Sequence, residues 1–434
     1  MSLLEQSSPE SDVATAVSAA RDHLLAIQRE DGHWCGELEG DTILESEYVL
    51  TLHFLGRAGE KTRKAAARLR QMQLPEGGWA IYPGGPPEVS ASVKAYFALK
   101  LEGADPRAPE MEKARRAILG LGGIDACNAF TRIYLAIFGQ YGWDRCPAVP
   151  PELVLLPDAF PLSIYRMSSW SRAIVVPLSI IWAKRPSCRV PDGAGIAELA
   201  SPAAAAAPPA PERSRRERFW RGFFAALDRF LKLVERVPWK PLRELALRRA
   251  AQWTEARLAD SDGLGAIFPP IVNTIFAFRA LGLPPDDRRI ASQVAELEKL
   301  EIEENGTIRL QPCFSAVWDT ALALGALVES GSEADDPALL AAARWLLDRE
   351  VRVEGDWARR LRGTPPGGWF FEYRNAFYPD TDDTAEVLAA LSRVRFPAPE
   401  DDRRRRDALA RGLRWQIAMQ NRDGGWGAFD RGCD

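Results

Sequence analysis

The sequence predicts an all-α protein built as a repeat toroid, and three observations carry that expectation. Apolar residues recur at helical spacing in segment after segment, with short Gly- and Pro-containing turns between them. No sustained period-two alternation appears, so strands are not needed. A Gln-x-x-x-Gly-x-Trp pattern returns three times at one spacing, as Gln28–Gly32–Trp34, Gln73–Gly77–Trp79 and Gln420–Gly424–Trp426. Helices in tandem pairs with a recurring joint argue for a closed repeat array rather than a simple bundle.

Taken in order, the first helical stretch runs from Asp12 to Gln28 and ends on the first Gln/Gly/Trp joint. In that joint Gln can bond free backbone groups at a helix end, Gly permits the turn, and Trp covers it. These residues therefore read as structural ties. Damaged copies stand at Asp262-Gly263-Leu264-Gly265 and Gly367-Gly368-Trp369. Further helices are expected at 42–55, 90–101, 125–140, 168–183, 271–281, 316–328, 337–347, 384–394 and 403–419. From Ala200 to Pro211 an Ala/Pro-rich stretch reads as an exposed loop. Beyond Arg213-Ser214-Arg215-Arg216-Glu217-Arg218, the residues Phe219, Trp220, Phe223, Phe224, Leu227, Phe230 and Leu231 gather largely on one helix side, flanked by Arg221 and Arg229. Such a helix is either an ordinary core-facing element or an interfacial one, with rings in lipid and arginines at headgroups.

Composition narrows the function. The 434 residues suffice for two or three domains; 46% are hydrophobic and 27% charged, an ordinary soluble balance. With 56 basic and 60 acidic residues the net charge is −4, and no overall field favours nucleic acid. Six scattered cysteines without a C-x-x-C pair read as free thiols of a reducing compartment. All three histidines (His23, His33, His53) lie far along the chain from the acidic cluster described next, so neither zinc nor a local Ser–His–Asp arrangement is suggested. Met1 to Asp12 lacks the pattern of a signal peptide, and no apolar segment reaches the ~18 residues of a membrane span.

The chemistry concentrates in Tyr378-Pro379-Asp380-Thr381-Asp382-Asp383-Thr384-Ala385-Glu386. Asp380 after a proline is a good N-cap, with Asp383 three residues on, and acids suit a helix's first turn. Capping leaves Asp382 unexplained, together with the aromatic run Trp369, Phe370, Phe371, Tyr373, Phe377 and Tyr378. Three acids beside so many rings repel one another and lose water, so at least one is expected to stay protonated. A neutral carboxylic acid in an aromatic pocket suits protonation of something apolar and weakly basic.

The string Phe377 to Ala385, with Gly367-Gly368-Trp369 upstream, resembles the acid motif of the squalene–hopene cyclases, and the Gln/Gly/Trp joints resemble that family's repeat. Other family-like strings are 77–87, 169–173, 263–270 and 311–320. The resemblance implies two α/α toroid domains. One is complete over about 37–310, with a membrane-facing segment near 213–234, and is inserted into a second formed by 1–36 and 311–434. That second barrel is incomplete in this chain, which reads as the N-terminal part of a cyclase, so little or no turnover is expected from it alone. By the same resemblance Asp382 is the proton donor, Asp380 and Asp383 are ionised partners, and the cation pocket is lined by Trp170, Ile267, Phe268, Pro269, Trp318, Phe371 and Phe429. The implied substrate is squalene, cyclised to pentacyclic hopene or hopanol. The pocket should be dry, because water traps carbocations, with aromatic faces each contributing roughly 0.5–2 kcal/mol. No cofactor or metal is implied. The implied location is peripheral, on the cytoplasmic face of the membrane, with lipid as a partner, and a homodimer is compatible with the family.

Two other readings remain. Asp382-Asp383-x-x-Glu386 could hold magnesium for a diphosphate-using terpene synthase, which needs a basic cradle that no stretch near the motif supplies. A non-catalytic helical-repeat, lipid-binding scaffold is the other.

Overall fold

The computed structural model describes residues 9–200, 214–234, 240–361 and 363–432. Within them lie fifteen α-helices: α1 (Pro9–Ile27), α2 (Thr42–Phe54), α3 (Glu60–Gln71), α4 (Val89–Leu101), α5 (Pro109–Gly120), α6 (Ala129–Ile137), α7 (Ser169–Lys184), α8 (Arg215–Val234), α9 (Lys240–Ala256), α10 (Phe268–Ala280), α11 (Arg288–Lys299), α12 (Ala316–Glu329), α13 (Pro337–Leu347), α14 (Thr381–Ser392) and α15 (Pro399–Ala418). The fold is all-α. The low-complexity stretch 201–213 lies outside the described residues, as do the side chains of Arg215–Arg218, Arg221, Leu227 and Phe230.

The helices sort into inner and outer members, and the sequence explains which is which. In α4, Ser90 through Leu101 are all buried, and in α2 Leu44 through Leu52 are. A helix apolar nearly all round must have neighbours on every side. Accordingly α2 packs on α3, α4 and α10, while α10 packs on α7 and α11. By contrast α3 buries only Thr62, Ala65, Ala66 and Leu69, and α11 only Ile290, Gln293, Val294 and Leu297. These one-faced helices form the outer layer. The polar residues inside the inner layer are paired: Lys94 donates to Glu47 at 2.7 Å and the Leu310 amide to Glu45 at 2.9 Å. Burial still pushes the Glu45 carboxyl up to about 7.

One expectation is overturned. Glu301–Glu304 and Thr307–Leu310 form an antiparallel hairpin, β1 and β2, packed on α3. Its turn is Asn305-Gly306, both with positive φ, the pairing a tight two-residue turn requires. The strands are too short to alternate visibly, and Glu301 to Glu304 passes for the polar end of α11.

The recurring joint has one geometry in all three copies. Gln28, Gln73 and Gln420 donate through Nε2 to the carbonyls of Gly32, Gly77 and Gly424 at 2.8, 2.9 and 2.7 Å. Trp34, Trp79 and Trp426 donate through Nε1 to carbonyls ten residues back, at 2.7, 2.8 and 2.7 Å. In the first two copies the Gln also donates to the facing helix, at Ala338 and Glu110. There Gly is needed twice over: φ is +99° and +102°, and an added Cβ would meet the backbone of Ala341 and Lys113 at 2.6 and 2.5 Å. Around Gly424 nothing lies within 4 Å, and Trp426 is 44% exposed where Trp34 and Trp79 are 4% and 0%. The third joint is formed but has no helix docked on it among the described residues.

Buried apolar side chains gather in two large clusters. One runs from Leu44 to Leu310 and takes in Tyr378; the other joins Trp34 to residues between Ala316 and Ala408. In the second, α12 packs on α14, α13 and α1, and α14 on α15.

Candidate active site

The acidic stretch forms the N-terminus of α14. Asp380 is the N-cap and its side chain accepts from the Asp383 amide at 2.8 Å. A short bridge holds this cap to the aromatic run, with the Asp380 amide donating to the Trp369 carbonyl at 2.9 Å. Gly368 permits the approach: a Cβ there would lie 3.0 Å from both Pro379 Cβ and Thr384 Oγ1.

The helical turn sends the three acids in different directions. Asp380 and Asp383 point inward and are buried, whereas Asp382 is exposed. This corrects two expectations. Asp382 does not lie in a dry enclosure in this structure, and Asp380 does not read as an ionised partner. Burial drives the Asp380 carboxyl far above the usual carboxylate range, with the neighbouring Asp383 charge adding to it. Burial likewise raises Asp383, to about 6, against the lowering hydrogen bond from Asp380. Two buried carboxyls this close disfavour double ionisation, and Asp380 is the one that burial holds protonated most strongly.

A fourth acid escaped notice in the sequence. Glu372 is 1% exposed; Asn375 donates to one of its oxygens at 3.1 Å and the other has no partner. Burial, then the Asp383 charge, raises it well above its ordinary value. The alternation of the aromatic run could have revealed it, since Trp369, Phe370 and Glu372 are buried while Phe371 and Tyr373 are half-buried. His33, distant along the sequence, is brought to the aromatic run: its Nε2 meets the Tyr373 hydroxyl at 3.0 Å, its Nδ1 meets Asp31, and its ring stacks on Trp345 at 4.7 Å.

The pocket residues fall into three groups. Trp170 and Phe429 face each other with ring centroids 5.0 Å apart. Trp318 and Phe371 do so at 6.1 Å, where the Val317 amide bonds the Phe371 carbonyl. Ile267 is the N-cap of α10 and Phe268 and Pro269 begin it; Phe268 is wholly buried and Ile267 nearly so, so Phe268 serves here as core rather than as open wall. The first group is stitched to the acids by residues 427–430. The amides of Thr381 and Asp382 both donate to the Ala428 carbonyl, at 3.2 and 3.3 Å. Two residues on, Asp430 accepts from Arg172 at 2.6 Å, and Arg172 stands two residues after Trp170 on α7.

That ion pair belongs to a buried lattice. Arg172 also approaches Asp356 at 3.4 Å, Asp356 pairs with Arg257, and the two guanidiniums lie over the rings of Tyr378 and Phe377 at 5.9 and 5.3 Å. Burial opposes the Arg172 charge, but the Asp430 and Asp356 carboxylates outweigh it and hold it protonated. The two rings that lead into the acid turn, Phe377 and Tyr378, thus lie under fixed charges from α7 and the end of α9.

Comparison with known proteins bears on this arrangement. A family model described as squalene-hopene cyclase N-terminal domain matches residues 17–306, and one described as squalene-hopene cyclase C-terminal domain matches residues 314–434. The chain is 40% identical to a squalene–hopene cyclase of Zymomonas mobilis, over 96% of this chain and 64% of that protein. It is 39% identical to one from Alicyclobacillus acidocaldarius, over 96% of this chain and 65% of that protein. A squalene–hopene cyclase of Schizosaccharomyces japonicus is also 39% identical, over 96% and 64%. The chain spans under two thirds of the length of each of these relatives.

Proposed function

The chain belongs to the squalene–hopene cyclase family, and from that premise we propose that it serves the acid-initiated cationic cyclisation of squalene to pentacyclic triterpenes. The observation that carries the reading is the acid turn. An exposed Asp382 sits beside a buried Asp380/Asp383 pair whose carboxyls are both pushed toward the protonated form, and its amide is tied through Ala428 to the Trp170–Phe429 pair. Asp382 delivers the proton to the terminal alkene, one C–H bond forming as the π bond breaks. The inner pair, with Glu372 beside it, supplies a local store of protons. Trp170, Phe429, Trp318 and Phe371 offer ring faces to the cation that migrates along the chain. We further assign residues 37–310 to one barrel and 1–36 with 311–434 to the other, a division supported by the two apolar clusters.

Magnesium chelation is the less favoured reading on geometric grounds. Asp383 faces inward and Asp382 outward, so the two cannot share an ion, and among the described residues no three His, Cys, Asp or Glu converge for one.

Attachment to a membrane surface completes the reading. On α8 the rings of Phe219, Trp220, Phe223 and Phe224 are exposed and in mutual contact, with centroids 5.5–5.9 Å apart. No helix among the described residues is long and apolar enough to cross a membrane. A face of this kind suits peripheral binding at the cytoplasmic leaflet, where squalene dissolves.

The test is product formation from squalene, read by gas chromatography–mass spectrometry on this chain and on the protein extended to its relatives' length. In the extended protein Asp382→Asn is expected to lose more than the ~10²–10⁴-fold typical of a general acid, since an amide has no proton to give. Circular dichroism should be unchanged. Normal turnover by Asp382→Asn would overturn the assignment.

A further inference from the structure

Outside the site just described, one cavity has a composition the function does not use. It measures about 770 Å³ and is lined by Arg166, Arg360, Arg422, Arg431, Asn421 and Asp423, with Gly432. Arg166 ends a short 3-10 turn before α7, Arg360 follows another at Asp356–Arg359, and Arg422 and Arg431 flank the third Gln/Gly/Trp joint. Residues distant in sequence thus bring four guanidiniums around one opening, against a single lining carboxylate among the described residues. That carboxylate is engaged: Asp423 accepts from the Gly425 amide at 3.0 Å. Asp430 feels the Arg360 charge but is committed to Arg172.

Among the described residues none of the four arginines makes an ion pair. Arg166 and Arg431 reach only backbone carbonyls, at 3.5 and 3.3 Å. Arg360 Nη1 is buried and has no hydrogen-bond partner. A buried, unpaired guanidinium nitrogen is costly, and four like charges at one mouth repel, unless an anion joins them. The guanidinium fork matches tetrahedral oxyanions in two-point contact.

We propose that this cavity binds a phosphate group, presented either by a free phosphate or diphosphate anion or by a phospholipid headgroup. A basic cradle, which no sequence stretch near the acid motif offers, is therefore assembled by the fold at the end of α15. The volume leaves room for a second phosphate or for the glycerol of a headgroup.

The test needs no turnover, so it stands apart from the cyclase reading. The chain is titrated with inorganic pyrophosphate by calorimetry, against sodium chloride of equal ionic strength. It is also floated with phosphatidylcholine vesicles with and without phosphatidic acid. Saturable pyrophosphate binding, weakened about tenfold or more by Arg360→Met, is the expected result for loss of one charge-assisted contact. Arg166→Ser and Arg422→Ser, at exposed side chains, should each weaken it too without disturbing the fold. Vesicle binding that rises with phosphatidic acid, and loses that increment in the same variants, would identify the headgroup as the source. If pyrophosphate binds no better than chloride and phosphatidic acid adds nothing, or if the variants bind as the parent does, the proposal fails.

Discussion

Replacing Arg172 by methionine should be among the most damaging single changes in the protein, and its cost can be reasoned from the lattice around it. Arg172 and Asp430 are 1% and 5% exposed and meet at 2.6 Å. Asp356 keeps Arg257 when Arg172 is lost, but among the described residues Asp430 keeps no ion-pair partner. Removing one member of a buried pair typically costs about 3–5 kcal/mol, because the other charge stays desolvated. Burial already raises Asp430 above its ordinary value even with the arginine present, so in the variant it should rise further and take up a proton. The sign follows: the folded variant then holds a proton that the unfolded chain releases, so its stability falls as pH rises. The defect should be larger at pH 7.5 than at pH 5. Pairing the change with Asp430→Leu removes the stranded charge and should recover most of the loss. Urea unfolding followed by tryptophan fluorescence and circular dichroism, with each transition read separately, measures all three proteins. A loss below about 1 kcal/mol, or a double variant no more stable than the single one, would refute the idea that the lattice is a buried and mutually dependent charge set.

Other consequences can be checked in the same way. Trp79→Phe removes a buried donor to the Leu69 carbonyl and should cost about 1–3 kcal/mol, whereas Trp426→Phe, at the half-exposed third joint, should cost under about 1 kcal/mol; equal losses would contradict the difference in docking. Glu45, up from 4.5 to about 7, and Asp383, up from 3.8 to about 6, both hold protons in the fold that the unfolded chain gives up. Stability should therefore decline as pH rises from about 4 to 7, and Glu45→Gln should flatten the decline in chemical denaturation, its share being of order 3 kcal/mol. Replacing Phe223 and Phe224 with Glu should move the protein from lipid vesicles to the soluble fraction in a flotation assay; a parent protein that never floats would remove the interfacial reading of α8.

The acid turn shows how far local chemistry was legible. Asp380 as N-cap could be read from Pro379-Asp380-x-x-Asp383, because a cap is satisfied by amides two and three residues away. Which acid would be dry could not, since that depends on what stands opposite each face of α14. The outer helices α3, α5, α9 and α11 went unread for a related reason: they are largely charged, and their narrow apolar stripes acquire meaning only against the inner layer.

What the sequence by itself determined is what short-range rules govern: an all-α chain, joints made by Gln, Gly and Trp at one spacing, and a helix opened by an aspartate. Each Gln and Trp of those joints bonds a carbonyl four or ten residues away along the same chain, so spacing alone encodes the contact. What only the tertiary structure decided is everything that depends on segments meeting across the chain. It set His33 against Tyr373, tied Asp430 to Arg172 across 258 residues, buried Glu372, and drew four arginines around one cavity. The physical reason is that desolvation and charge depend on three-dimensional neighbours, and these carry no periodicity along the sequence.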